Sequence, residues 1–368
     1  MKKKLAIIGA DAGQIPLVNK AKEMGIETHC FSWDKEGFTD CKGIADYFHP
    51  ISTLEKERIL EECKKIKING VASIMNDPAV PTVAFVAQGM GLIGNRYEDM
   101  LLSSNKLTMR QAFKQNHVKS PRFTIAKESM DLTGFQYPLI VKPTDRTGSI
   151  GVRKVERKEE LQDTLQKSLD DSRRKEVIIE ELISGVEVSI DSISWNGKHY
   201  MLAIKDKEIS KTVDFLLLAK HYPAQLNTEI QDKLKSETIK ALDAINFKYG
   251  AAVTQFKITE AGEIFSIEIN PRMAGDHAHT VMKLHNGYDY VRGVIDVALG
   301  QFEEPVFTDN KYSGIFYLYE GTEWVRKFIE NKECDPNIIE TKFFEKEDIH
   351  GAKGYFIYQT EQKRRWES

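Results

Sequence analysis

Short apolar runs and amphipathic stretches alternate through the first hundred residues. Residues 5–8 (Leu-Ala-Ile-Ile) are an uninterrupted apolar run, which predicts a buried strand. Gly9-Ala10-Asp11-Ala12-Gly13 follows as a turn, and apolar positions at helical spacing over 15–24 predict a helix that stops at Gly25. A second strand is predicted over 28–33, a second helix over 55–66 and a third strand over 71–75. That rhythm predicts a parallel sheet with helices on its faces. The turn reads Gly-x-x-x-Gly rather than Gly-x-Gly-x-x-Gly, so it is first a tight strand-to-helix connection and only weakly a dinucleotide loop.

The texture changes after Ser103. Residues 105–113 form a polar-started amphipathic helix, and Ser120-Pro121 marks a turn. A short strand over 137–143 ends in Lys142-Pro143, the glycine-containing loop 144–151 follows, and 152–155 resumes as strand. A helix over 159–168 and strands over 177–181 and 186–193 come next, then a long amphipathic helix over 228–246. Residues 250–257 and 264–270 predict a hairpin around Ala261-Gly262, and the helix 288–299 ends at Gly300. The tail mixes short strands with a helix near 323–331 and ends in the charged stretch 362–368.

At 368 residues the chain is long enough for two or three lobes. A net charge of −3 gives it no signature of a nucleic-acid or membrane-surface binder. Cys30, Cys41, Cys63 and Cys334 form no Cys-x-x-Cys pair, which speaks against a zinc site or a disulfide framework. The basic start Met1-Lys2-Lys3-Lys4 precedes an apolar run too brief for a signal peptide, and no stretch is long enough to span a bilayer. The expected setting is cytoplasmic, with small-molecule partners, no nucleic acid and no membrane; a homodimer is compatible with this.

Four patterns carry chemistry. Lys142, at the end of an apolar strand, either snorkels to water or presents a fixed positive charge to a ligand. Thr144-Asp145-Arg146-Thr147-Gly148-Ser149-Ile150-Gly151 is a flexible hairpin whose backbone N–H groups can close over phosphates, although it lacks the Gly-Lys-Ser/Thr of a Walker loop. Glu180 and Glu181 follow an apolar strand; such a pair is either a solvated strand end or a set of acceptors for ribose or adenine, with Leu182 and Ile183 flanking the base. In Ile264-Phe265-Ser266-Ile267-Glu268-Ile269-Asn270-Pro271-Arg272, Glu268 and Asn270 share a strand face, and Gln255 on the preceding strand can pair beside Glu268. These three oxygens suit a hard cation and Arg272 suits an anionic oxygen beside it; a wet sheet edge is the plain alternative.

In chain order the motifs are Lys106 at a helix start, Lys142, the glycine/serine loop, Glu-Glu-x-x-x-Gly-x-Glu and Glu-x-Asn-x-Arg. This order resembles the ATP-grasp superfamily of carboxylate–amine ligases, of the carbamoyl-phosphate-synthase-like and L-amino-acid-ligase-like branch, over residues 103–300. The resemblance implies a parallel α/β domain over 1–103, a small lobe with the phosphate loop over 104–184, a large lobe with the metal strands over 185–300, and C-terminal elements packed on it over 301–368. It implies that Lys106 and Lys142 contact ATP phosphates and that Gly148, Ser149 and Gly151 belong to the loop over them. It assigns Glu180, Glu181 and Leu182 to the adenine, Glu187 to the ribose, and Gln255, Glu268 and Asn270 to Mg²⁺ (or Mn²⁺). Arg272 would steady the transferred phosphoryl group. Many relatives have a carboxylate where Gln255 stands, which weakens the case for a tightly held second metal.

The implied reaction activates a small carboxylate, such as an amino acid, as an acyl phosphate with release of ADP, and joins it to an amine. Gly275, Asp276 and His277 directly follow the metal strand, so they are expected to line the reaction centre; His277 and His279 read equally well as a helix cap. Lys205, Lys211 and His221 occupy the stretch that approaches substrate in amino-acid ligases of this type; His221 reads at least as well as a packed loop histidine. The competing readings are a carbamoyl-phosphate or purine-pathway synthetase, a silent nucleotide-binding module and, weakest, a nicotinamide-dependent oxidoreductase. The chain is short for the duplicated synthetase and has no glutaminase-like Cys-His unit.

Overall fold

The structure is a computed structural model and describes residues 2–126, 130, 132–210, 213, 215–348, 351–364 and 366. Lys211 lies outside the described residues.

The N-terminal third is a parallel α/β unit: β1 (Lys4–Ile8), α1 (Ile15–Glu23), β2 (Glu27–Ser32), β3 (Tyr47–Pro50), α2 (Lys56–Ile66), β4 (Gly70–Ala72), α3 (Val80–Met90) and α4 (Tyr97–Ser103). Its sheet order is β3-β2-β1-β4, all parallel, so the first strand lies inside the sheet. That position explains its unbroken apolar run: Leu5 to Ile8 are fully buried because helices cover both faces.

Next come α5 (Lys106–Gln115), β5 (Phe123–Ile125), β6 (Leu139–Pro143), β7 (Arg153–Val155), α6 (Leu161–Asp171) and β8 (Val177–Glu181). These strands form a small antiparallel sheet in the order β5-β8-β6-β7. Leu139, Val141, Val155, Val177 and Ile179 pack with Leu161 and Leu165 of α6. Strand alternation therefore sends Lys142 and Glu180 to the opposite face.

The rest builds one large antiparallel sheet. It comprises β9 (Val186–Trp195), β10 (Lys198–Ile209), β11 (Leu217–Tyr222), β12 (Gly250–Ile258), β13 (Ile264–Asn270), β14 (Tyr312–Leu318), β15 (Ile338–Phe343) and β16 (Gly354–Thr360). Its order is β13-β12-β9-β10-β11-β14-β16-β15, so the C-terminal strands continue the sheet that begins at the hairpin. The accompanying helices are α7 (Thr228–Ala244), α8 (Ala278–Asn286), α9 (Tyr290–Ala298) and α10 (Trp324–Glu330). Among the described residues no helix is long and apolar enough to cross a membrane.

A shared core and a close backbone approach help to hold these units together around a common cleft. The main core joins Leu5, Ile7, Leu17 and Val18 of the parallel unit to Ile193, Met273, Tyr290 and Val294. Burying such side chains contributes about 1.5–3 kcal/mol each. The chain passes from β8 to β9 through Gly185, at φ 144, where a Cβ would stand 2.0 Å from the Ile258 carbonyl oxygen. Only glycine lets the two backbones approach so closely there.

Candidate active site: a charged cleft between the lobes

A cleft of about 400 Å³ opens where the large sheet faces the glycine loop and the loop after β4. Met75 and Asp77 line it from the parallel unit, Thr147, Gly148 and Ser149 from the glycine loop, and Glu187, Gln255, Glu268, Asn270, Arg272, Gly275 and Asp276 from the large sheet and the loop after β13.

The cleft face of the sheet is set by register. Gln255 pairs with Glu268 on one side and with Ser189 on the other, and Ser189 pairs with Lys205, so the four form a row across β13, β12, β9 and β10. In the next row Lys257 pairs with Glu187, and Lys207 pairs with Lys220. Lys207 Nζ donates to Glu187 Oε1 and to Gln255 Oε1, both at 2.7 Å.

The small lobe and α5 supply a buried charge cluster. The Asn105 side chain caps α5 by accepting from Leu107 N at 2.8 Å and Thr108 N at 3.2 Å, which fixes Lys106 on the first turn. Lys106 Nζ lies 3.0 Å from Glu268 Oε1 and donates to the Arg146 carbonyl oxygen at 2.5 Å, tying the β13 carboxylate to the glycine loop. One helical turn on, Arg110 Nε lies 2.7 Å from Glu180 Oε1, and Arg110 Nη2 donates to the Ile267 carbonyl oxygen at 2.7 Å. Lys142 Nζ reaches Glu180 Oε2 at 2.7 Å. Arg110 is fully buried and Glu180 is nearly so.

Burial alone would raise the carboxyls of Glu180 and Glu268. The cations Arg110, Lys142 and Lys106 overcome it and hold both below their ordinary values. Burial lowers the Lys142 ammonium in spite of Glu180. Three cations thus stand against two carboxylates in a low-dielectric setting, and the surplus positive charge suits a polyanion.

A metal ion would find its oxygens in Gln255, Glu268 and Asn270. Among the described residues no group of three or more His, Cys, Asp or Glu side chains forms a cation cage. One carboxylate with two amide oxygens fits a hard cation that takes its remaining ligands and most of its counter-charge from bound phosphates. Lys106 on Glu268 and Lys207 on Gln255 place ammonium groups on two of those oxygens, so a metal ion would take the position these cations now hold.

The strand after the hairpin is aimed by the parallel unit. Arg272 donates from Nε to Asp77 Oδ1 at 2.9 Å and from Nη2 to Asp77 Oδ2 at 2.8 Å, and Met75 N donates to the Met273 carbonyl oxygen at 3.2 Å. This bidentate pair fixes the guanidinium plane. Asp276 pairs with Lys220, and the lysine holds the Asp276 carboxyl down at about 2 against the upward push of burial.

The expected residues are not all brought together. Gly148, Ser149, Glu187, Gln255, Glu268, Asn270, Arg272, Gly275 and Asp276 line the cleft, and Lys106 touches it through Glu268. Lys142 and Glu180 sit in the buried cluster behind it; Glu181 ends β8, Leu182 begins the connection to β9, and Gly151 closes the far side of the glycine loop. His221 is separated from the cleft, contrary to the expectation. It lines another cavity, of about 710 Å³, with Asp206, Glu208, Phe316, Tyr358 and Trp366. The reason is alternation: Lys220 takes the cleft face of β11, so His221 takes the other, 2.8 Å from Tyr358 Oη and 2.9 Å from Glu208 Oε1. His277 also leaves the reaction centre; its ring packs 4.2 Å from that of Tyr355 just before α8. Arg110 and Asp77 escape the motif reading. Arg110 had one signal, a cation four residues after Lys106 on an amphipathic helix; Asp77 had none, because its partner lies 195 residues away.

Comparison with known proteins agrees with this arrangement. Residues 135–281 match the family model described as the ATP-grasp domain. The carbamoyl phosphate synthase large chain of Thermoanaerobacter sp. (strain X514) is 26% identical over 267 residues, covering 69% of this chain and 24% of that protein. The alanine–anticapsin ligase of Bacillus subtilis (strain 168) is 25% identical over 301 residues, covering 72% of this chain and 63% of that one. The chain spans about a quarter of the length of the carbamoyl phosphate synthase chains it matches. The crystal structure of an L-amino acid ligase from Bacillus licheniformis superposes with a TM-score of 0.82 at 22% identity, covering 98% of this chain and 94% of that one, and establishes the likeness of fold.

Proposed function

We propose that the protein, whose residues 135–281 match the ATP-grasp domain model, is an ATP-dependent ligase that activates a small carboxylate as an acyl phosphate and joins it to an amine. The observation that carries this reading is the convergence of Lys106, Glu268, Gln255, Asn270 and Arg272 on one cleft beside the glycine loop. Lys106 would bind phosphate oxygens with Lys142 adding positive charge from the cluster behind the cleft, the N–H groups of Gly148 and Ser149 would cover them, and Glu187 would accept from the ribose. Gln255, Glu268 and Asn270 would hold Mg²⁺, which when bound would supply neutralisation of phosphate charge.

The chemistry is positioning and charge compensation. The carboxylate oxygen takes the γ-phosphoryl group as its bond to the β-phosphate oxygen breaks, and ADP leaves. The amine nitrogen then attacks the acyl carbon and inorganic phosphate departs with the C–O bonding electrons. A carboxylate, an ammonium and ATP thereby give an amide, ADP, phosphate and one proton. Arg272 stands where it can bind the oxygens of the transferred group, and no protein nucleophile is needed.

Incubation with Mg²⁺·ATP, pooled amino acids and hydroxylamine is expected to yield ADP and a hydroxamate. AMP with pyrophosphate would reject the acyl-phosphate route, and absence of turnover with any of a broad acid panel would favour a silent nucleotide-binding module. Asp77 is a positioning residue for Arg272. Asp77→Ala is expected to lower kcat about 10–100-fold while the KM for ATP stays near the wild-type value. Equal losses in binding and turnover, or none, would remove that role.

A further inference from the structure

Two of the three oxygens that suit a metal ion carry the chain's own cations. Lys106 Nζ stands 3.0 Å from Glu268 Oε1, and Lys207 Nζ donates to Gln255 Oε1 at 2.7 Å. The two lysines are not equally tied. Lys207 also bonds Glu187 Oε1 at 2.7 Å, so it keeps a carboxylate of its own whatever happens at Gln255. Among the described residues Lys106 has one carboxylate partner, Glu268, and one neutral acceptor, the Arg146 carbonyl oxygen in the glycine loop.

The placement of Lys106 is costly in two ways. It is 8% exposed, so its ammonium gives up most of its water. It also stands in the first turn of α5, where the helix dipole disfavours a cation and no acidic residue offsets it. An apolar side chain of similar length would fill the same space without either cost. What the lysine supplies is a movable charge, because rotation of its long stem lets the ammonium change partners. A divalent ion on Glu268 Oε1, at about 2.1 Å, would lie within about 5 Å of that ammonium. Like charges so close in a largely buried site repel strongly, so metal and Lys106 exclude each other at Glu268.

We infer that Lys106 is an exchange latch, whose ammonium ties Glu268 to the glycine loop and closes the metal oxygens to a lone divalent cation until a nucleotide's phosphates draw it away. The movement that frees Glu268 also releases the Arg146 carbonyl, so access of the metal and freedom of the glycine loop are coupled to nucleotide arrival. Lys207 stays on Glu187 throughout and adds a fixed positive charge beside Gln255. The inference rests on the metal assignment within the ligase reading and adds an order to it: phosphate arrives before the ion or with it.

The test is titration of the full chain with Mn²⁺ and no nucleotide, at about pH 8 where carboxylates are ionised, with free Mn²⁺ read by electron paramagnetic resonance. Lys106→Met keeps the stem and removes the charge, and should bind Mn²⁺ at least about tenfold more tightly than wild type. Lys106→Met combined with Glu268→Gln should lose that gain, which places the ion on Glu268. Lys257→Met removes a cation from the adjoining row, 3.4 Å from Glu187 Oε2, and should stay within about twofold of wild type. Backbone amides of residues 147–152 should exchange hydrogen at least about threefold faster in Lys106→Met, which reports the lost tether. Circular dichroism identifies any variant that does not fold, and wild type decides without variants: Mn²⁺ bound alone more tightly than about 0.1 mM overturns the latch. Equal Mn²⁺ affinity in wild type and Lys106→Met, or unchanged exchange, overturns this inference alone. Failure of wild type to bind Mn²⁺·AMP-PNP overturns the ligase reading beneath it.

Discussion

Glu268→Ala is expected to abolish ADP release, with a fall of at least about a hundredfold at saturating ATP. Glu268 is the one carboxylate among the three oxygens available to a metal, so its loss leaves two neutral amides facing the phosphates. Its removal also strips Lys106 of its 3.0 Å partner, which leaves that ammonium free to reach phosphate. The two effects separate on titration with Mg²⁺: nucleotide binding without metal should survive, whereas the metal-dependent gain in turnover should vanish. Undiminished ADP release in this variant would sink the metal assignment. Glu268→Gln keeps the size and hydrogen-bonding reach of the side chain and should fail in the same way, because charge is what the site lacks.

The second large effect is on stability. Glu180→Gln removes the carboxylate that Arg110 and Lys142 share and leaves two buried cations without a counter-charge. Breaking a buried ion pair by removing one partner costs about 3–5 kcal/mol, read as a lowered midpoint in urea unfolding at neutral pH. The pH dependence has a definite sign. The Glu180 carboxyl is held below its ordinary value of 4.5, because the pull of Arg110 and Lys142 outweighs burial. Its stabilisation is therefore fully present above pH 4.5 and is lost as pH falls through the depressed native value. The gap between wild type and Glu180→Gln should be constant from neutrality down to about pH 5 and narrow below it. A gap that widens on acidification would mean that the cluster is not what holds the lobes to α5.

Much of this architecture was readable from local pattern. The buried run at Leu5 to Ile8, the helix after Asn105 and the hairpin that pairs Gln255 with Glu268 each carry period and punctuation over a few residues. Elements with a less common environment were harder. The sequence of α3 is apolar nearly all round, so no stripe marks it. β10 alternates charged residues of both signs because each of its faces lines a cavity, and it looks like a solvated stretch. The short edge strand β3 and the three-residue β5 carry too few positions to show a period. At the site, residues grouped in motifs could be named because spacing alone places them on one face. Asp77 acquires meaning only when distant parts of the chain meet, and His221 was misplaced because one residue along a strand changes the face it serves.

That last point has a consequence for how the protein can diverge. Along β10, Lys205, Lys207 and Ile209 face the cleft, while Asp206 and Glu208 face the other cavity. One strand therefore carries two interleaved texts, each read by a different chamber. Substitutions at its odd-numbered positions can reshape one chamber while the even-numbered positions keep the other intact. A single sheet thereby serves as the common wall of two compartments that selection can furnish independently.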